Sequence, residues 1–283
     1  MIDFTIGCDC ELVISENNRI LVSSDYVETT DAFGADGDGT VFEIRPGYSK
    51  CPLELVRKIN KTMKNFLDKN SSFSSLKWEA GSIALGRSIG GHIHFGTSNL
   101  LSREVSGFFL GNYLAPIYYL IENKNKIIER NNIGYGLFND TRPQSHGFEY
   151  RALGSWITSP YVSSAILCLA KAIISECLNN DKFVNSESNN LQDLNLRNGV
   201  DYLDIFDKNW IKIQKMSLYK KYKNHIDILK FLVDNGMSWY PNEDLKVAWG
   251  LSNKKIDFGP QPIISIDSIW KRHNNKNLKT ALT

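Results

Sequence analysis

A strong net charge, a cysteine framework, low-complexity stretches and a long uninterrupted apolar run are all missing from this chain, and each absence removes a class of protein. Its 283 residues carry 33 lysines and arginines against 31 aspartates and glutamates, a formal net charge of +2. Such a balance gives no electrostatic basis for bulk capture of nucleic acid. The tail from Trp270, with Lys271, Arg272, Lys276 and Lys279, reads as a solvated end. Five scattered cysteines, an odd number, fit reduced thiols better than a disulfide framework. The most apolar helical run, "YVSSAILCLAKAIISECL" at 161–178, includes Lys171 and Glu176. It falls short of the ~20 apolar residues a span needs and reads as a buried core helix, with no membrane partner. The first strand pattern starts within a few residues of Met1, which leaves no room for a signal or transit peptide and makes the cytoplasm the expected location. There is no internal repeat or heptad run.

What is present is a hydrophobic fraction of 42%, enough for a sizeable core. Segments with a two-residue period dominate the first 155 positions, and helical periods fill the gaps and nearly everything afterwards, so the fold class is α+β. Strands are expected at 4–14, 20–23, 40–45, 77–80, 91–96 and 147–153. An amphipathic helix is expected from Pro52, with Leu55, Ile59, Met63, Phe66 and Leu67 on one face. A second helical stretch covers about 102–130, broken or kinked at Pro116. One or two more lie in 201–234, with Ile205, Ile211, Ile213, Ile228, Phe231 and Leu232 as packing residues. The polar "NNDKFVNSESNNLQDLN" at 179–195 reads as a linker or loop. The expected organisation is a catalytic core over 1–178 and a mainly helical extension over 179–283, packed as one continuous domain.

Four strands share one peculiarity. In "TIGCDCELVI" (5–14), alternation puts Cys8 and Cys10 in line with Phe4, Ile6, Leu12 and Ile14, and sets Asp9 and Glu11 together on the other face. The cysteines then act as small packing residues, since no soft ligands with matching spacing accompany them. In "GTVFEIRPG", Glu43 and Arg45 oppose Phe42 and Ile44; in "GGHIHFG", His92 and His94 oppose Ile93 and Phe95; in "GFEYRALG", Glu149 and Arg151 oppose Phe148 and Tyr150. One such strand is an ordinary half-exposed strand. Four of them, joined in an antiparallel sheet, gather Asp9, Glu11, Glu43, His92, His94 and Glu149 with Arg45 and Arg151. So many carboxylates repel one another unless cations neutralise them, and a carboxylate-rich set with imidazole suits magnesium or manganese better than zinc. Arginine on the same face offers the planar fork that a phosphate wants. The segment "NNIGYGLFNDTRPQSHG" (131–147), with Arg130 before it and Arg142 inside it, reads as a phosphate-clamping loop. In "DAFGADGDGT", Asp38 reads as a turn former, while Asp36 is open between turn and metal ligand. His225 and His273 read as surface or helix-packing residues, and Trp210, Trp239, Tyr240, Trp249 and Trp270 as core.

The ordered set "GCDCE", "DGDGTVFEIRP", "GGHIHFG" and "GFEYRALGSW", spanning 6–156, resembles the carboxylate–amine ligases of the glutamine synthetase and glutamate–cysteine ligase superfamily. It is most similar to their phage and bacterial amidoligase branch, carboxylate–amine ligase type 2. The resemblance implies a curved antiparallel sheet with helices on its outer face, two or three divalent ions (Mg2+ or Mn2+) and ATP. It implies phosphoryl transfer to a substrate carboxylate, then attack of an amine on the acyl phosphate. By position, Asp9, Glu11, Glu43, His92 and Glu149 match metal ligands, with Asp36 as a further one. Arg151, Arg142 and Arg45 take catalytic roles at the transferring phosphoryl, and Arg130, Arg142, Arg151 and His94 bind the nucleotide. The chain departs from the branch at Cys8 and Cys10, where a small residue and a proline are usual, and in the short interval around Asp36.

The implied partners are small-molecule or peptide acids and amines; an amino acid, polyamine, cell-wall fragment or modified nucleobase would each satisfy the chemistry. An oligomer is compatible, because rings built from this fold share active sites between subunits. A guanidino-kinase-like phosphotransferase and a non-catalytic nucleotide-binding descendant are the alternatives within the fold. A cupin is the alternative outside it: Gly86 with His92 and His94 starts such a motif, but Ser98 and Asn99 stand where its acid should follow. Phosphoryl transfer needs positioning and charge neutralisation rather than a nucleophilic side chain, which accords with the lack of a Ser-His-Asp or Cys-His set.

Overall fold

The computed structural model describes residues 3–97, 103–188, 201–239 and 244–252. Tyr240, Trp270, His273 and the four tail cations lie outside the described residues. The strands are, in chain order, β1 (Thr5–Glu16), β2 (Arg19–Ile20), β3 (Phe33–Ala35), β4 (Phe42–Ile44), β5 (Tyr48–Ser49), β6 (Lys77–Glu79), β7 (Ile83–Ala84), β8 (Arg87–Ser88), β9 (Gly91–Gly96), β10 (Thr141–Gln144) and β11 (Gly147–Tyr150). The helices are α1 (Pro52–Lys69), α2 (Arg103–Tyr113), α3 (Ala115–Ile121), α4 (Lys124–Asn132), α5 (Pro160–Asn179), α6 (Asp181–Ser188), α7 (Tyr202–Ile213), α8 (Tyr219–Asp234) and α9 (Leu245–Ala248).

The twelve residues of β1 are long enough to pair along both edges, and they organise the sheet. The strand order is β10-β11-β9-β1-β4-β3, with β2, β5 and β6 also on β1. The pairings are antiparallel, as expected. Phe4, Ile6, Cys8, Cys10, Leu12 and Ile14 all enter one hydrophobic cluster, so the face assigned to packing by alternation is the buried one. Both cysteines are free and buried.

α1 covers that face. Pro52 sits in its first turn, where its missing N–H costs nothing, and Leu55, Ile59, Met63 and Phe66 are buried. Phe66 stacks on Phe33 of β3 with ring centroids 4.0 Å apart. Burying each of these side chains contributes roughly 1.5–3 kcal/mol, which is what fixes the helix on the sheet. α5 is long and apolar enough to cross a membrane by length and composition, more so than its sequence suggested. In the fold its sides are covered by α1, α2 and α8, and it is the core's central helix. Its Lys171 is buried, with Nζ donating to the Phe4 carbonyl and standing 3.5 Å from the Phe4 ring centroid. The same cluster continues into α7 and α8 through Phe206, Trp210, Ile213 and Leu232, and Trp239 and Trp249 are buried in it.

Several elements differ from expectation. Pro116 does break the second helical stretch, but by starting α3 rather than kinking a continuous helix. Part of the supposed linker, 181–188, is α6. Ile211 and Phe231 point outward, 58% and 46% exposed, because their neighbours Trp210, Ile213 and Leu232 already fill the buried side. β3, β5, β7, β8 and β10 are additional strands of only two to four residues, too short for a two-residue period to register. β10 also contains Pro143, which an edge strand tolerates because one side needs no N–H donor.

Candidate active site

Register brings the four peculiar strands onto one face. Across the sheet Arg142 lies opposite Glu149, Glu149 opposite His94, and His94 opposite Gly7. One step along β1, Asp9 lies opposite His92, and Glu11 lies opposite Glu43. Because residues i, i+2 and i+4 of a strand share a face, these three rows form one polar floor opposite the buried cysteines.

At one end of the floor, Glu11, Glu43 and His92 each bring a ligand-type atom within 4.8 Å of the others. The main-chain N–H of Gly90 donates to Glu11 Oε2 at 2.6 Å, aiming the carboxylate inward. Burial, against the opposing pull of Arg130, pushes the Glu11 carboxyl up to about 7. Burial and the negative charge of Asp9 push Glu43 up to about 8, despite its ion pair with Arg45. Burial pulls His92 down to about 4, so its imidazole is neutral. His92 Nδ1 lies 3.1 Å from Glu149 Oε1, which leaves Nε2 on the side of Gly90. A methyl group at position 90 would stand 2.6 Å from that nitrogen, so glycine keeps the space between donors open. Two carboxylates that resist ionisation together and a neutral imidazole fit a hard divalent cation, whose charge would relieve their repulsion. The carboxylate behind His92 is the usual way such a ligand is oriented.

Glu149 is fully buried and binds the arginine edge to this floor. Its Oε2 accepts from Arg142 Nε at 2.8 Å and Gln144 Nε2 at 2.7 Å, while Arg151 Nε stands 3.6 Å from Oε1. His94 Nε2 lies 3.0 Å from Asp9 Oδ2. Each histidine therefore meets the acid diagonal to it rather than the one directly opposite, a reach that strand geometry permits. Burial works against the Asp9 carboxylate, but the adjacent His94, with His92 and Arg45, holds it below its ordinary range. Glu149 Oε1, His94 Nε2 and Arg151 Nε are buried at ion-pair distance, yet none is aligned in a hydrogen bond. Misaligned hydrogen bonds weaken steeply, so these atoms retain capacity for a further partner.

The remaining expected residues fall into three settings. Arg130 is buried on α4 and donates to the carbonyls of Ala152 (2.7 Å) and Arg151 (3.3 Å), gripping the end of β11. Arg45 holds Glu43 and the Ala35 carbonyl. Asp36 is used by the backbone: its Oδ1 accepts from the N–H of Thr40 at 2.8 Å and Val41 at 3.1 Å, closing the turn before β4. It stands outside the Glu11–Glu43–His92 cluster but close enough to raise both glutamates. Asp38 forms the expected turn through Thr40. At the other end of the floor a cleft of about 610 Å3 is lined by Gly7, Asp9, Arg45, Tyr48, His94, Gly96 and His146, among others. His94 and His146 stack in it, 5.5 Å apart and 12° from parallel.

Residues 6–251 match the model of the family described as Phage phiEco32-like COOH.NH2 ligase-type 2. The chain belongs to this family of carboxylate–amine ligases. It is thus an amide-bond-forming carbon–nitrogen ligase. No curated protein matches it in sequence. Among solved structures, the ligase resembles a chain of the complex between the prokaryotic ubiquitin-like protein Pup and its ligase PafA. The identity is 10% and the TM-score 0.40, over 96% of this chain and 76% of that one.

Sequence reasoning missed Gly90, Gln144, His146 and Tyr48 as residues of the ligase's polar floor and cleft. Gln144 shares the two-residue period of Arg142 in "TRPQ", a signal masked by Pro143. Gly90 lies in "GGHIHFG" and His146 in the 131–147 segment, beside the residues assigned there, while Tyr48 reaches the cleft only through the pairing of β5 with β1.

Proposed function

We propose that this ligase uses ATP with Mg2+ or Mn2+ to activate a substrate carboxylate as an acyl phosphate, which an amine then converts to an amide. The observation that carries the proposal is the convergence of Glu11, Glu43 and His92 on a floor where both carboxyls are pushed toward neutrality. Glu11, Glu43 and His92 would hold a cation, while Asp9 and Glu149 stand outside this cluster among the described residues, each beside a histidine. Bound there, a divalent cation supplies neutralisation of phosphate charge. The cleft at the Gly7–Gly96 end has the size of a small-molecule site, and supports the nucleotide lying against His94 with its phosphates toward Asp9.

The chain's own groups then have separate tasks. Arg142 and Arg151, held by Glu149, offer guanidinium donors to the transferring phosphoryl group, where negative charge spreads over three oxygens. Arg45 keeps Glu43 oriented, and Arg130 fixes the main chain from which Arg151 projects. A substrate carboxylate oxygen bonds to the γ-phosphorus as the bond to ADP breaks. The amine nitrogen then bonds to the acyl carbon, and phosphate leaves with the carboxylate oxygen it received.

The test is ADP release by the purified protein with ATP, Mg2+ and carboxylic acids, with and without hydroxylamine as a surrogate amine. Hydroxamate formation that requires ATP, and that Arg151→Ala abolishes, is the expected result. A stable phosphorylated product with no hydroxamate would assign phosphotransfer instead.

A further inference from the structure

The loop between α4 and β10 carries a feature the proposed chemistry leaves unused. Within five residues, Ile133, Tyr135 and Leu137 are 57%, 47% and 47% exposed. Large apolar side chains grouped on a surface mark interaction sites, whereas single scattered ones are ordinary. This loop is also firmly held. The N–H of Tyr135 donates to the Arg130 carbonyl (3.2 Å), the N–H of Asp140 to Leu137 (2.9 Å), and Tyr150 Oη to Phe138 (2.7 Å). Phe138 is buried against Ala115. Gly134 and Gly136 have φ of 86° and 82°, and a Cβ on Gly136 would collide with the Arg130 guanidinium. The backbone is thus pressed onto Arg130 while its apolar side chains face outward.

Position gives the patch its meaning. The Arg151 guanidinium lies 6.0 Å from the centroid of the Tyr135 ring. Neither this loop nor Arg151 lines the cleft at the other end of the floor, so an occupant of the loop leaves that cleft open to the nucleotide. Arg142, half exposed, pairs with the same Glu149 as Arg151. We propose that Ile133, Tyr135 and Leu137 are the docking platform for the carboxylate substrate, an acidic peptide with an apolar residue beside the reacting carboxylate. The arginines draw the carboxylate, and the platform selects the side chain next to it. A free amino acid or short dicarboxylate reaches the arginines but leaves the platform uncovered. This inference rests on the ligase chemistry proposed above.

The experiment is the hydroxylamine assay with ATP and Mg2+, using succinate, L-glutamate and the dipeptide Phe-Glu as acids. Affinity for a fluorescent ATP analogue and the mass in solution are measured alongside. The expected result is a KM for Phe-Glu at least tenfold below that for L-glutamate. Tyr135→Ala and Leu137→Ser, both at exposed positions, bring the two KM values together, while Ile128→Ser, exposed on α4 outside the loop, preserves the preference. Equal KM values in the wild type overturn the proposal, as does a preference that survives both loop variants. Weakened nucleotide affinity in those variants assigns the loop to the base of ATP, and a change in mass assigns it to a second copy; either overturns it. Tight nucleotide binding with no hydroxamate from any of the three acids overturns the peptide class. A wild type that binds no nucleotide overturns the underlying ATP chemistry instead.

Discussion

Replacing Glu43 with glutamine should make the cation-free protein more stable and at the same time disable it. The Glu43 carboxyl is pushed from 4.5 to about 8, first by burial and then by the charge of Asp9, with Glu11 and Asp36 adding to it and Arg45 opposing. A carboxyl whose value is raised on folding binds its proton more tightly in the folded state. Its stabilising contribution is full below about 4.5 and is lost as pH rises through about 8. At about 1.4 kcal/mol per pH unit the shift corresponds to roughly 4 kcal/mol at pH 8. Coupling to Glu11 and the weaker contact of a neutral amide with Arg45 reduce the net gain for glutamine to about 2 kcal/mol. For a chain of this size that is ~4–8 °C in melting temperature. The assay is thermal unfolding in chelator at pH 6 and pH 8, repeated with excess MnCl2. Wild type should melt lower at pH 8 than at pH 6 and recover with Mn2+. Glu43→Gln should melt higher than wild type at pH 8 and gain little from Mn2+. A variant that melts below wild type at pH 8 in chelator would mean that Arg45 and Glu43 form a stabilising ion pair, and the cation argument would fail.

Gly90→Ala should lower Mn2+ affinity at least tenfold in a titration while leaving the circular dichroism spectrum intact, since its methyl group would stand 2.6 Å from His92 Nε2. Arg151→Ala should abolish turnover in a folded protein, whereas Cys10→Ala, a small loss of volume on the opposite face, should keep activity and cost about 1 kcal/mol. A larger loss of activity in Cys10→Ala than in Asp9→Asn would mean the wrong face had been assigned to the chemistry. For Lys171, burial lowers the ammonium to about 8, and its partners are the carbonyl and ring of Phe4. Lys171→Met should therefore stay within about 1 kcal/mol of wild type in denaturant unfolding, while Lys171→Ala loses packing and costs about 2 kcal/mol or more.

Alternation along single strands was enough to separate Cys8 and Cys10 from Asp9 and Glu11, because side-chain direction on a strand is a local property with a fixed period. The same reasoning found α1 and α5, whose periodic apolar residues extend over many turns, and the ordered motifs carried the family. The pairing of the short strands and the outward turn of Ile211 and Phe231 depend on tertiary packing, which decides the open sheet edge and the helix side that the core covers. So does the division of labour within the polar set. Only pairing register puts Glu11 against Glu43 and Glu149 behind His92, while a local turn to Thr40 and Val41 occupies Asp36 and short-range contacts hold the loop at 133–137 on Arg130. The chain alone determined which residues share a face; the tertiary structure decided which of them meet, because an approach of a few ångströms between strands is set by register and packing and leaves no mark in the local pattern.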